Sequence, residues 1–171
     1  PDWYLRAGDC LGRVGRFNDC LDLLDGVRAK FPEVLDIQAL IARTYSLKAG
    51  RLAAEGIHDQ NLLFALQDAV RTAEAILARH PGHQDARLIA AQALLELEEP
   101  ARAEAHAKEA AQRFPTHPGG PILLGQIAFT EFVQLRRRIA EEQPKGQAQA
   151  DLIARAADAR ERAAKALQQA V

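Results

Sequence analysis

A few residues in this chain have types and spacings that could carry chemistry beyond packing. His80-x-x-His83 has a spacing found in metal sites, and His117 follows a later Pro in a similar setting. Zinc needs three or four ligands, and no cysteine or carboxylate cluster accompanies these histidines, so turn residues are the plainer reading. Cys10 and Cys20 lie ten positions apart across a glycine-containing turn. They could pair only if their Cα atoms came within about 7 Å. The other reading is two small buried thiols in places alanine would fill. Asp19, Asp22 and Asp25 share a helix face and could hold a cation or act as acid and base, but such a face is ordinarily solvated. Arg136-Arg137-Arg138 could contact phosphate or an acidic partner, yet Glu141 and Glu142 stand one helical turn on as ion-pair partners. The one serine, Ser46, lies in an apolar-periodic stretch, which leaves no room for a G-x-S-x-G nucleophile. With no phosphate-loop, dinucleotide or H-E-x-x-H pattern, the residues predict no enzyme, cofactor or metal.

The elements that position these residues follow from composition and periodicity. The 171 residues suffice for one domain or one stack of repeats. A formal charge of -1 removes the basic footprint of a nucleic-acid binder. No apolar run approaches the roughly 18 residues that span a bilayer. Aromatic residues make up 5% of the chain while alanine is abundant, which predicts helices packed close together. The chain has no Met, so it reads as a piece of something longer. No pattern marks a compartment, and a cytoplasmic setting is expected ahead of a periplasmic one. The Ala/Arg-rich composition suggests a bacterial genome rich in G and C.

Three prolines act as rulers. They lie in Lys30-Phe31-Pro32, Arg79-His80-Pro81 and Arg113-Phe114-Pro115, each after an apolar-periodic helix that ends in basic residues. Pro81 and Pro115 are 34 residues apart, and Pro32 and Pro81 are 49 apart. In the first unit, Trp3 to about Val14 reads as a helix broken by Gly15, and Phe17, Cys20, Leu24 and Val27 line a second. In the third, Ala90, Ala91 and Leu94 line the first helix, Glu98-Glu99-Pro100 makes the turn, and Ala103, Ala107 and Ala110 line the second. The second unit carries an insertion around Arg51 to Phe64, read as about two extra turns on each helix. The last unit is longer still, with its turn at Gln143 to Gln147.

This pattern resembles the tetratricopeptide repeat family. Gly8, Gly15, Phe17, Cys20, Val27 and Pro32 stand at its marked places in residues 1–34, and Ala91, Ala103, Ala110 and Pro115 do so in residues 84–117. The resemblance implies an all-α, right-handed superhelical solenoid of antiparallel helix pairs. It would be a single domain over 1–171, with repeats at about 1–34, 35–83, 84–117 and 118–171, the second and fourth having extended hairpins. It also implies protein–protein interaction, with a peptide or helical segment of a partner held against the first helix of each pair.

Carried over by residue, the groove would present Leu5 and Asp9, then Arg43 and Leu47, then Leu88, Gln92 and Glu96, and finally Ile122, Gln126 and Phe129. Apolar positions would give affinity, and a ladder of Asp9, Arg43, Gln92 and Gln126 would set register. The family's grip on a C-terminal carboxylate is not expected, because Leu5, Asp9, Leu40, Arg43, Asp85 and Ile89 stand at or near the places concerned and only Arg43 suits them. The apolar groove residues could instead pack against an extended neighbouring helix. Other expectations are a structural or self-associating module, a homo-oligomer, and a recruiting arm of a larger enzyme or of a secretion or assembly complex.

Overall fold

A computed structural model describes residues 2–170, which form eight helices and no strand. They are α1 (Asp2–Arg13), α2 (Phe17–Lys30), α3 (Leu35–Ala54), α4 (Gln60–Arg79), α5 (Gln84–Glu96), α6 (Pro100–Arg113), α7 (Gly119–Glu142) and α8 (Gln147–Gln168). The short pairs have helices of 12 to 14 residues, whereas α3 and α4 have 20 each and α7 and α8 have 24 and 22. Apart from the turns, the extra residues of the second and fourth repeats therefore lengthen the helices, as the periodicity predicts. The chain divides into two compact units, Pro1–Glu99 and Pro100–Val171, at the turn between α5 and α6.

Two turn types repeat in register. α2, α4 and α6 each end two residues before a proline, and the residue between bonds alike in all three. Phe31 N–H donates to Val27 O, His80 N–H to Ile76 O and Phe114 N–H to Ala110 O, at 2.8 to 2.9 Å. The pre-proline residue is sterically driven out of the α region, and Phe31 and His80 have ψ of 63° and 75°. The proline rulers thus mark one repeated structural joint.

The ends of α1, α3 and α5 share the other type. Arg16, Ile57 and Glu99 donate their backbone N–H five residues back, to Leu11, Leu52 and Leu94, at 2.9 Å in each case. This closure needs a left-handed residue just past the helix. Gly15 (φ 79°) and Gly56 (φ 72°) supply it without cost, while Glu98 (φ 60°) does so with a side chain. Glu98→Gly is expected to raise stability by roughly 1 kcal/mol. The check is the urea midpoint at constant slope. An unmoved midpoint would mean that the glutamate bears no strain there.

In the first unit α1 packs on α2, α2 on α3, α3 on α4 and α4 on α5, while α1, α3 and α5 also meet side by side. One layer is therefore built from first helices and the other from second helices. Cys20, Leu21, Leu24, Val27, Ile37 and Ile41 form one buried cluster. Ala42, Ala73, Ile76, Leu77, Ala86 and Ala90 form the next. Gly8 lets α1 approach closely: a Cβ there would sit 3.1 Å from Cδ2 of both Leu24 and Leu40. A small polar knot pins the three helices. Cys20 Sγ donates to Gly8 O (3.1 Å) and lies 3.4 Å from Thr44 Oγ1, and the Thr44 hydroxyl donates to Leu40 O (2.7 Å). Burial pushes the Cys20 thiol above its ordinary 9.0, outweighing the hydrogen bond with Thr44, so it stays protonated at neutral pH.

The two cysteines are free, and the expectation of two buried thiols fails at Cys10, which is exposed. Two residues along a helix is a rotation of roughly 200°, which turns Cys10 away from the face that buries Gly8 and Gly12.

In the second unit α6 packs on α7 and α7 on α8. The buried residues that α8 brings to the α7–α8 seam are Leu152 and then alanines, at 156, 159, 163 and 166. Leu135, Leu152, Ala156 and Ala159 form its cluster, with Phe132 and Ile139 against it. Arg162 bridges Glu131 (2.7 Å) and Asp158 (2.8 Å), tying α8 to α7.

Candidate binding groove on the first-helix face

The side-by-side arrangement of α1, α3 and α5 opens a cavity of about 620 Å³ in the first unit. Leu5 and Asp9 of α1 line one part of it, and Asp36, Ala39, Leu40 and Arg43 of α3 line the middle. Asp85, Leu88 and Ile89 of α5 complete the wall, with His83 from the turn before α5. These residues recur because equivalent positions on stacked first helices fall on one side. Asp36 and Asp85 each stand four residues after a ruler proline and second in their helices. Leu88 likewise follows Asp85 as Ala39 follows Asp36.

The apolar lining has two roles. Leu5 and Leu40 also pack on the first core cluster, and Ala39 and Ile89 on the second. No residue of the Arg51–Phe64 extension lines the cavity. Asp9 accepts from Arg13 at 2.7 Å and lies 3.9 Å from Arg43. The Asp9–Arg43 rung of the expected ladder therefore exists as a contact between α1 and α3. Gln92 does not extend it, since its amide donates to Glu96 within α5 (2.8 Å).

Of the expected groove residues, Leu5, Asp9, Arg43 and Leu88 meet in this cavity, while Leu47, Gln92 and Glu96 lie outside its wall. Leu47 and Glu96 are exposed and Gln92 is half-buried. Ile122, Gln126 and Phe129 belong to the second unit. They form an exposed row along α7 that continues to Val133 at alternating four- and three-residue steps. All six positions weighed against the family's carboxylate grip line the cavity. His83 is a lining residue that its sequence context gave no way to see.

Several of the other chemical candidates resolve as structural groups. His83 Nδ1 accepts from Ala86 N–H (3.2 Å) and so caps the start of α5, and His117 Nδ1 accepts from the N–H of Gly119, the first residue of α7 (3.1 Å). Asp19 pairs with Arg16 and Asp25 with Arg28 on the exposed face of α2. Arg137 and Arg138 pair with Glu141 and Glu142 at 3.0 and 2.9 Å. Among the described residues, no group of three or more His, Cys, Asp or Glu is placed to hold a metal ion. No described helix is long and apolar enough to cross a membrane.

Helical hairpins joined by a repeated proline turn, with small residues at the close approaches and first helices side by side, decide the architecture. The fold is tetratricopeptide-like. The chain matches no protein-family model and has no match among the curated proteins compared. Among solved structures it is similar to TTC0263, a thermophilic TPR protein of Thermus thermophilus. The identity is 18%, with 92% of this chain and 97% of that chain covered, at a TM-score of 0.44. It is also similar to MamA AMB-1, at 16% identity over 91% of this chain and 89% of that one, with a TM-score of 0.36. In the tetratricopeptide-like register the lining residues recur at matching places of each first helix, 34 residues apart from Leu5 to Ala39 and 49 apart from Ala39 to Leu88 across the longer hairpin.

Proposed function

We propose that the chain is a protein-interaction scaffold and that the cavity between α1, α3 and α5 receives a peptide or helical segment of a partner. The observation that carries this reading is the convergence of equivalent positions of α1, α3 and α5 on one concave wall. Apolar side chains there offer area to bury, and the polar ones set orientation. The mechanism is equilibrium binding without turnover.

Leu88 is the decisive side chain, because it is half-buried and faces the cavity. Leu88→Glu places an unpaired charge where an apolar partner group would dock. It is expected to weaken partner capture at least tenfold while leaving the helical circular-dichroism signal intact. Capture from a lysate of the source organism, compared between the wild type and Leu88→Glu, tests this. A partner held equally by both would move the interaction away from this wall.

A further inference from the structure

We infer that this groove selects a segment bearing lysine or arginine beside leucine-sized apolar side chains, and that it does not read a chain-terminal carboxylate. This specifies the partner of the groove proposed above and rests on that reading. The acidic groups on the wall are Asp9, Asp36 and Asp85, against the single guanidinium of Arg43. Asp9 is engaged by Arg13 at 2.7 Å, with Arg43 at 3.9 Å. Asp36 and Asp85 are exposed on the wall and have no ion pair or hydrogen bond among the described residues. A cationic side chain entering the groove thus finds two uncompensated carboxylates.

Helix geometry excludes the opposite sign. The N-termini of α3 and α5 would ordinarily attract an anion through their free amides and dipole. Here Asp36 and Asp85 supply that negative charge from the first turn itself. His83 Nδ1 accepts from Ala86 N–H, and among the described residues the ring makes no hydrogen bond or ion pair with either carboxylate. Arg43 faces Asp9. An incoming carboxylate therefore meets repulsion at both helix starts, while Leu5, Leu40, Leu88 and Ile89 provide the apolar contact.

The test is selection of binders from a random dodecapeptide library displayed on phage. The enriched sequences are then made synthetically with free and with amidated C-termini and titrated by fluorescence anisotropy. Enrichment of Lys or Arg next to Leu, Ile, Val or Phe is expected, with equal affinity for the two C-terminal forms. The double substitution Asp36→Asn/Asp85→Asn should weaken these peptides roughly tenfold at low ionic strength, and the difference should shrink as salt rises. Leu88→Glu should abolish their binding. Enrichment of acidic peptides, a need for the free carboxylate, or indifference to the Asn substitutions with Leu88 still required would overturn the charge assignment and leave the groove standing. Peptides that bind Leu88→Glu normally, or a library that yields no binder, would overturn the groove as well.

Discussion

Leu24→Ala is expected to destabilise the first unit by about 2–5 kcal/mol. Leu24 is completely buried in the cluster that joins α1, α2 and α3, and its truncation leaves a void that rigid neighbouring helices close only in part. The site also predicts its own partial rescue. A methyl group added at Gly8 would lie 3.1 Å from Leu24 Cδ2 and 3.4 Å from Leu24 Cγ, the atoms that the truncation removes. In the wild type Gly8→Ala crowds Leu24 and Leu40; in the truncated background the same methyl enters vacated space. The double variant should therefore be more stable than the sum of the single effects, by roughly 1 kcal/mol or more. Urea unfolding of the four proteins measures the coupling. Strictly additive losses would show that α1 is not seated on Leu24 in the way described.

Gly120→Ala should cost about 3 kcal/mol, the upper end for inserting one methyl into a packed contact. The added Cβ would come 2.6 Å from Ala111 N and 2.9 Å from Ala111 Cα, and backbone atoms cannot rotate away as a side-chain end can. Helices α6 and α7 would have to separate at the start of the last hairpin. Gly50→Ala is the control, because Gly50 lies inside α3 with nothing within 4 Å of a built Cβ. That substitution should stabilise by roughly 0.5–1 kcal/mol through reduced backbone freedom in the unfolded chain. Calorimetric melts of the two variants give the comparison. Equal shifts would mean that the α6–α7 approach is looser than the geometry states.

Much of this arrangement is legible from local chemistry. The proline joints, the break at Gly15, the helix start at Pro100 and the lengthened second and fourth hairpins all follow from signals within a few residues of each feature. The register along first helices also brings Leu5, Asp9, Arg43 and Leu88 to one wall. What escapes the sequence depends on distance in the chain. His83 joins the wall from the turn before α5, outside the first helices whose register can be read from the chain. Glu98 adopts a glycine-like conformation because the flanking helices demand the turn, overriding its own preference. The division at Glu99 and Pro100 falls inside the third repeat, where the repeat pattern gives no break.

The alanine seam of the last hairpin has a consequence for how that hairpin breathes. Alanine loses no rotamer freedom on burial, so the seam forms at little entropic cost, but each methyl also contributes little hydrophobic stabilisation. Beyond Leu135 on α7 and before Leu152 on α8 no residue is buried, and the turn between the two helices is solvent-exposed apart from half-buried Pro144. Stability therefore falls along the hairpin toward its tip. Amides near the turn will exchange with solvent through small local openings, while those beside Ala159 and Ala163 wait for the whole unit to open. The hairpin works as a zipper whose free end is always the first to part.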